Sequence, residues 1–532
     1  MVAADNVDAS RVGAGVLAKG GNAIDAAIAT ALALGVVHPA SSGIGGGGFA
    51  VIYIAKDKKL YAFDFREVGP GKIRPELFAP GGVVDPKLSR TTGLAVGVPG
   101  EVAGLDLLSK RFGKLPWPEV VGPATALARN GFRLSYFLHR AISLWLPRAN
   151  KRAPLAKVLA LVSKESPGTT LIRPRLARTL ETIARRRSAG FYRGSVARDI
   201  VATVKSNGGV MELSDLHDYR PRELAPLIGQ WGKYRVATMP LPSSGGIAVL
   251  EALGILDATG AKLAQLGAGS SAYTHLLAES LKHAFADRAR YLGDRDPGAI
   301  TAQLLDPKRL RKLAARINDR RTLRSRRYGD SALGKAKGLK NDSGTSHLCV
   351  VDADGNAVAL TTTVNTYFGS GLLTRSGIVL NDEIDDFALA PNQPNAFGLV
   401  QSSFNLVGPG KRPLSSMTPT LVLDGERVVG CVGGSGGPRI ISNTLQAMIN
   451  VFVFGMNVAE ALGASRVHHQ WKPDRLVVEA DMVADVRKAL SRRGHNLKVS
   501  PYATAVQMIV VDPEGRRSAA SDPRKGGQPA AQ

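Results

Sequence analysis

The chain has 532 residues, 44% of them hydrophobic, 21% charged and 6% aromatic, with a formal net charge of +25. That length holds a large core and roughly two to four domains, and the composition is ordinary for a globular protein. It has no run of the roughly eighteen apolar residues that a membrane helix needs, no zinc-finger spacing, and no aromatic-plus-basic platform for single strands. The arginine-rich stretches "RPRLARTLETIARRR" and "DPKRLRKLAARINDRRTLRSRR" look helical. Their charge therefore reads as a solvated basic surface rather than a nucleic-acid site. Cys349 and Cys431 both lie inside apolar, strand-like segments, which argues against a disulfide framework or a metal cluster. The opening "MVAADNVDAS" has neither a basic n-region nor an apolar h-region, so no secretory signal is visible.

In chain order, "ASRVGAGVLAKGGN" has helical spacing and a Gly-Gly stop, after which Asn22 can cap a second helix. That helix, Ala23 to Val37, is apolar and alanine-rich and reads as buried. "GFAVIYIAKDKKLYAFDFRE" is a hairpin around a polar turn. Helical patterns dominate from about Trp117 to Arg327, broken by "GKYRVATMPLPSSGG". Ser325 to Gly344 carries almost no apolar periodicity and reads as a mobile leader. Beyond it the chain turns strand-rich: "SHLCVVD" and "NAVALTTTVN" flank Ala353-Asp354-Gly355, a strong hairpin signal. A turn centred on Asp354 and Gly355 sets Thr345 opposite Val364, with Thr363 and Asn365 on either side.

The seam at Gly344–Thr345 raises a chemical question. A threonine hydroxyl is a poor nucleophile and needs a base; a threonine that begins a chain can use its own α-amine. A cut before Thr345 creates such an N-terminus. Glycine at 344 leaves the carbonyl open to attack, and a mobile leader lets the strand approach and then depart.

The stretch "DSGTSHLCVVDADGNAV" resembles the processing site of the gamma-glutamyltransferase family. The resemblance extends over nearly the whole chain through "MVAADN", "KGGNAIDAAIATALALGVVHPASSGIGGGGF", "YAFDFREVGP", "MPLPSSGGI", "LNDEIDDFA", "GKRPLSSMTPT", "GGSGGPRI" and "VHHQW", all in family order. It implies an α+β N-terminal-nucleophile hydrolase fold, a four-layer αββα sandwich, split into subunits 1–344 and 345–532 that stay together as a heterodimer. It implies cleavage of γ-glutamyl amides such as glutathione through a glutamyl ester on Thr345. The glutamyl group then passes to water or to an amino acid or peptide.

The resemblance assigns Thr363 to orient the nucleophile and Gly436 and Gly437 to bind the oxyanion. It gives Arg66, Ser415 and Ser416 to the donor's α-carboxylate, and Asn365, Glu383 and Asp386 to its α-ammonium. Each pairing is chemically apt: an arginine fork suits a carboxylate, and fixed N–H donors suit an oxyanion. A periplasmic or secreted location is implied, and no cofactor or metal. Phe397 stands in the lid segment Ala388 to Gly410 where many members carry a tyrosine. Ser435 and Pro438 also differ from common members.

Three other readings compete. Gly433 to Gly437 fits the G-x-S-x-G elbow of serine esterases, with Ser435 followed by Asp474 or Asp485 and then His495. A cephalosporin acylase on the same scaffold would take a glutaryl group, which has no amine for Asn365, Glu383 and Asp386 to bind. A non-enzymatic basic binding protein would have no use for Thr345, Thr363 and Arg66 together.

Overall fold

The computed structural model describes residues 1–329, 344–390, 393–500 and 504–532. Twelve strands position the site: β1 (Val2–Ala4), β2 (Gly47–Ile54), β3 (Lys59–Phe65), β4 (Arg222–Leu224), β5 (Leu227–Trp231) and β6 (Tyr234–Thr238) precede Gly344. Six follow it: β7 (Thr345–Val351), β8 (Ala357–Thr363), β9 (Thr420–Asp424), β10 (Arg427–Ser435), β11 (Ala505–Val511) and β12 (Arg517–Ser521). They form two sheets, in the orders β1-β7-β8-β2-β3-β4 and β12-β11-β10-β9-β6-β5. Each sheet takes strands from both sides of Gly344, so the chain segments before and after that residue are interleaved rather than side by side.

Alternation along the strands builds the layers. Phe49, Val51 and Tyr53 of β2 turn inward with Cys349, Ala359, Leu421, Cys431 and Ile509, forming the core between the sheets. Ala50 and Ile52 turn outward against α1 (Val7–Ala18) and α2 (Ala23–Val37). On the far side, Val422, Val432 and Met508 meet α3 (Gly245–Ala258), α4 (Ser271–Tyr291) and α5 (Arg439–Phe452). Burying each such Val, Leu or Phe side chain contributes about 1.5–3 kcal/mol.

The buried helix expected at Ala23 to Val37 is buried at every residue, and Asn22 caps it in a capping box with Asp25. The hairpin register differs from expectation by one residue. Thr345 pairs directly with Thr363, because the turn is a five-residue loop closed by Asp352. Its carboxylate accepts the Asn356 N–H at 2.9 Å and also the Ala23 N–H at 2.9 Å, at the start of α2. The start of the expected leader is not loose either. Ser325–Arg327 forms a 3-10 turn, Tyr328 is buried with its hydroxyl on Glu279, and Trp471 Nε1 donates to Ser325 O at 2.8 Å. Residues 330–343 of that leader lie outside the described residues.

Candidate active site

Thr345 begins the strand next to β8 in the middle of the first sheet, 5% exposed. Its hydroxyl oxygen lies 3.1 Å from that of Thr363. Thr363 Oγ1 donates to the Gly344 carbonyl at 3.0 Å and accepts the Asn365 N–H at 2.8 Å. A hydroxyl has one proton and two lone pairs, so with its proton on Gly344 O, Thr363 accepts the Thr345 hydroxyl proton. One side chain thereby polarises the Gly344 carbonyl and draws on the Thr345 O–H.

Gly344 is a glycine for a reason other than the openness expected of it. A Cβ there would lie 2.2 Å from Asn365 O and 2.5 Å from the Thr366 carbonyl carbon, well inside contact distance. The seat is closed to side chains, and this closeness holds the Gly344 carbonyl at Thr363.

Asn365 has φ 75°, a left-handed conformation that Asn tolerates better than most residues. Its amide nitrogen donates to Asp382 O at 2.9 Å, which leaves the amide oxygen for the cleft. That cleft is lined by Arg66, Thr345, Thr363, Asn365, Glu383 and Asp386 on its polar side. Ser415, Ser416 and Gly437 line it too, and Phe397, Leu399, Met417 and Ile440 supply apolar walls. Of the site residues expected from the sequence, all but Gly344 and Gly436 line this cleft; Gly344 O is bonded by Thr363, and Gly436 abuts Thr504.

Arg66 and the two acids, assigned separate tasks by resemblance, form one buried cluster. Arg66 Nη1 donates to Glu383, Nη2 donates to Asp386 at 2.7 Å, and Nε donates to Pro413 O at 3.2 Å. Burial works against the Arg66 charge, but Glu383, Asp386 and Glu67 outweigh it and hold the guanidinium firmly protonated. Burial pushes Glu383 and Asp386 up while Arg66 pulls them down. Glu67, 3.8 Å from Arg66 with no hydrogen-bond donor among the described residues, is pushed up by burial to about 8.

Gly436 and Gly437 connect β10 to α5 with φ 127° and 60°, where glycine is favoured. A Cβ at Gly436 would fall 1.7 Å from Thr504 Oγ1, and one at Gly437 would fall 2.8 Å from the Phe397 ring. Phe397 therefore packs on Gly437, and Thr504 on Gly436. The lid that carries Phe397 is tied to the site: Asn395 Nδ2 donates to Asp386 Oδ1 at 3.1 Å, and Gln401 and Asn405 donate to Asp386 O.

Sequence reasoning missed Lys525 and Asp5. The Lys525 ammonium donates to Thr345 O, to Asp5 at 2.8 Å and to Ser435 Oγ at 3.1 Å. Asp5 lies in the motif "MVAADN" but was given no role there, and no motif marks Lys525; chain ends 520 positions apart meet only in the fold. The same bonds oppose the esterase reading. Ser435 is fully buried, His495 bonds His275 at 2.7 Å, and Asp474 faces His469 at 3.2 Å, so no triad assembles on Ser435. His275, Glu279 and His495 lie close enough to surround an ion, a grouping that sequence spacing did not reveal. Glu279 is already bonded to Lys282, Thr322 and Tyr328, so its carboxylate is balanced without a metal.

Comparison with solved structures defines the class. A cephalosporin acylase from Bacillus halodurans superposes with a TM-score of 0.86 at 28% identity, over 100% of this chain and 95% of its own. A gamma-glutamyltranspeptidase from Pseudomonas nitroreducens gives 0.56 at 37% identity, over 60% of this chain and 95% of its own. The two scores span different lengths, 100% and 60% of this chain. The protein is an N-terminal-nucleophile hydrolase in fold, an αββα sandwich. The family model for gamma-glutamyltranspeptidase matches residues 9–532. The glutathione hydrolase proenzyme of Escherichia coli strain K12 is 40% identical over 531 residues, 98% of this chain and 90% of its own. This chain belongs to the gamma-glutamyltranspeptidase family. Among the described residues no helix is long and apolar enough to cross a membrane.

Proposed function

We propose that the protein cuts itself between Gly344 and Thr345 and then hydrolyses or transfers γ-glutamyl groups from donors such as glutathione. The observation that carries this is the Thr345–Thr363–Gly344 O network lying in the same cleft as Arg66, Glu383 and Asp386. In the first reaction Thr345 Oγ1 attacks the Gly344 carbonyl carbon, Thr363 relays the hydroxyl proton to the departing amide nitrogen, and the C–N bond breaks to leave an ester and the free α-amine of Thr345. Water then frees the leader. In the second, the released α-amine of Thr345 takes the hydroxyl proton while Oγ1 attacks the γ-carbonyl. The N–H groups of Gly436 and Gly437 receive the oxyanion. The amine leaves with the proton, and water or an amino acid or peptide amine resolves the glutamyl ester.

The donor's α-ammonium goes to Asn365, Glu383 and Asp386, and its α-carboxylate to Arg66, Ser415 and Ser416. The two cleavage products remain one heterodimer, held by the interleaved sheets, in the periplasm or outside the cell.

The structural likeness to a cephalosporin acylase keeps a glutaryl-amide reading as the alternative. Kinetics on matched γ-glutamyl and glutaryl anilides, with and without glycylglycine, separate them. A glutaryl donor leaves buried acceptors unpaired at about 1–3 kcal/mol each, so the glutamyl donor is expected to be faster by tenfold or more. Equal efficiency moves the chain to the acylase reading. A denaturing gel with N-terminal sequencing of the smaller band tests the cut, with Thr345-Ser346-His347 as the expected start.

A further inference from the structure

Arg288 is a buried guanidinium that the reaction above leaves unused. It projects from α4 and is 2% exposed. Nε donates to Ser244 Oγ at 2.9 Å and Nη2 to Ser416 Oγ at 3.4 Å; Nη1 has no hydrogen-bond partner among the described residues. Its hydrogen-bonding partners are hydroxyls rather than a carboxylate. Burial lowers its pKa to about 10, with Asp386 and Arg66 near enough to act on its charge, so it is a cation at neutral pH. A buried cation without a paired anion is costly, and this one stands directly behind the serine turn of the cleft.

The hydrogen-bond directions at that turn are informative. Ser415 Oγ accepts the Met417 N–H at 3.1 Å, and Ser416 Oγ accepts from Arg288. Among the described residues neither hydroxyl proton has an acceptor, so both are left for an anion in the cleft. The other cation there, Arg66, already has Nη1 on Glu383 and Nη2 on Asp386. The cluster holds the Arg66 and Arg288 guanidinium groups and the carboxyls of Glu67, Glu383 and Asp386, and a zwitterionic head adds no net charge to it. A donor that kept its ammonium but lost its carboxylate would add a positive charge next to two arginines.

We propose that Arg288 is a positioning residue: it fixes Ser416 as a hydrogen-bond donor and supplies the second positive charge for the donor's α-carboxylate. It thereby sets selectivity for γ-glutamyl donors whose α-carboxylate is free. This rests on the glutamyl reading given above.

The test compares L-γ-glutamyl anilide with the analogue whose α-carboxylate is a carboxamide, on matured wild type, Arg288→Met, Arg288→Lys and Ser416→Ala. Arg288→Met loses about tenfold to a hundredfold in kcat/KM on the carboxylate donor, chiefly through KM, and under about threefold on the carboxamide. Arg288→Lys keeps the charge without the fork and falls between. The loss from Arg288→Met is largely absorbed when Ser416→Ala is already present, because the two act as a unit. Losses in equal proportion on both donors, or additive losses in the double variant, overturn the proposal in favour of a purely structural role. If Arg288→Met does not fold, Arg288→Lys with Ser416→Ala gives the same two comparisons. A wild type that hydrolyses both of these donors equally overturns this proposal, whereas equal rates on the γ-glutamyl and glutaryl anilides overturn the glutamyl reading on which it rests.

Discussion

Thr345 and Thr363 stand opposite one another on adjacent strands with their hydroxyl oxygens 3.1 Å apart. Because Thr363 also bonds Gly344 O, the proposed self-cleavage and the proposed acyl transfer would both draw on it. Thr363→Val keeps the shape of the side chain and removes the hydroxyl. Self-cleavage is expected to slow by about a hundredfold or more, since a positioned proton acceptor contributes on that order. Thr345→Ala is expected to stay whole indefinitely. Timed gels of freshly purified protein measure both; a Thr363→Val chain that matures at the wild-type rate removes Thr363 from the reaction.

Gly344→Ala puts a methyl group 2.2 Å from Asn365 O. Overpacking of this kind costs about 1–3 kcal/mol, and here the strain falls on the bond to be cut. The expected outcome is a lowered melting temperature and a Gly344 carbonyl displaced from Thr363, hence slow maturation. Scanning calorimetry on the uncut protein in a Thr345→Ala background reads the first effect without interference from the second.

Lys525→Met leaves Asp5 buried without its cation. Burial already pushes the Asp5 carboxyl up, and Lys525 is its chief counterweight. Breaking a buried pair from one side costs about 3–5 kcal/mol. The double variant Lys525→Met with Asp5→Asn is expected to recover much of that stability in urea titrations. It should not recover acyl-transfer rate, because the bond to Thr345 O stays lost. Full recovery of both would make the pair purely structural.

Glu101 supplies a pH signature. Burial lifts its carboxyl from 4.5 to about 8, and the hydrogen bond from Thr362 offsets this only in part. Between those values the folded protein holds a proton that the unfolded chain has released. Stability is therefore fullest below pH 4.5 and falls as pH rises towards 8, by up to about 1.4 kcal/mol per pH unit. Glu101→Gln should remove this contribution, so variant and wild type diverge in melting temperature from pH 5 to 8. Glu67, raised similarly, leaves a residual slope. Parallel curves would show that Glu101 is ionised in the fold.

How much of this was legible depends on range. Local signals worked: Asn22 caps the helix it was expected to cap, and the two apolar runs around the polar turn pair as the expected hairpin, β2 with β3. The seam hairpin was found but misregistered, because Asp352 and Asn356 bond each other across a five-residue loop centred on Asp354, where a two-residue Asp-Gly turn was expected. Motif resemblance gathered the cleft residues, yet could not reveal that Arg66 bonds both acids. Lys525, Asp5 and Arg288 were invisible, since each acts through a partner far away in sequence. The first residues of the expected leader were misread because Tyr328 and Ser325 are secured by Glu279 and Trp471.

The interleaving of strands from both sides of Gly344 has a consequence for refolding. While the chain is continuous, assembling the sheets is a unimolecular search. Once it is opened at that bond, neither piece can complete either sheet, and reassembly becomes a bimolecular encounter that depends on protein concentration. The durability of a chain cut as proposed then rests on how slowly it unfolds rather than on a reversible equilibrium. A denatured mature sample at high dilution will stay inactive where the uncut Thr345→Ala chain regains its structure.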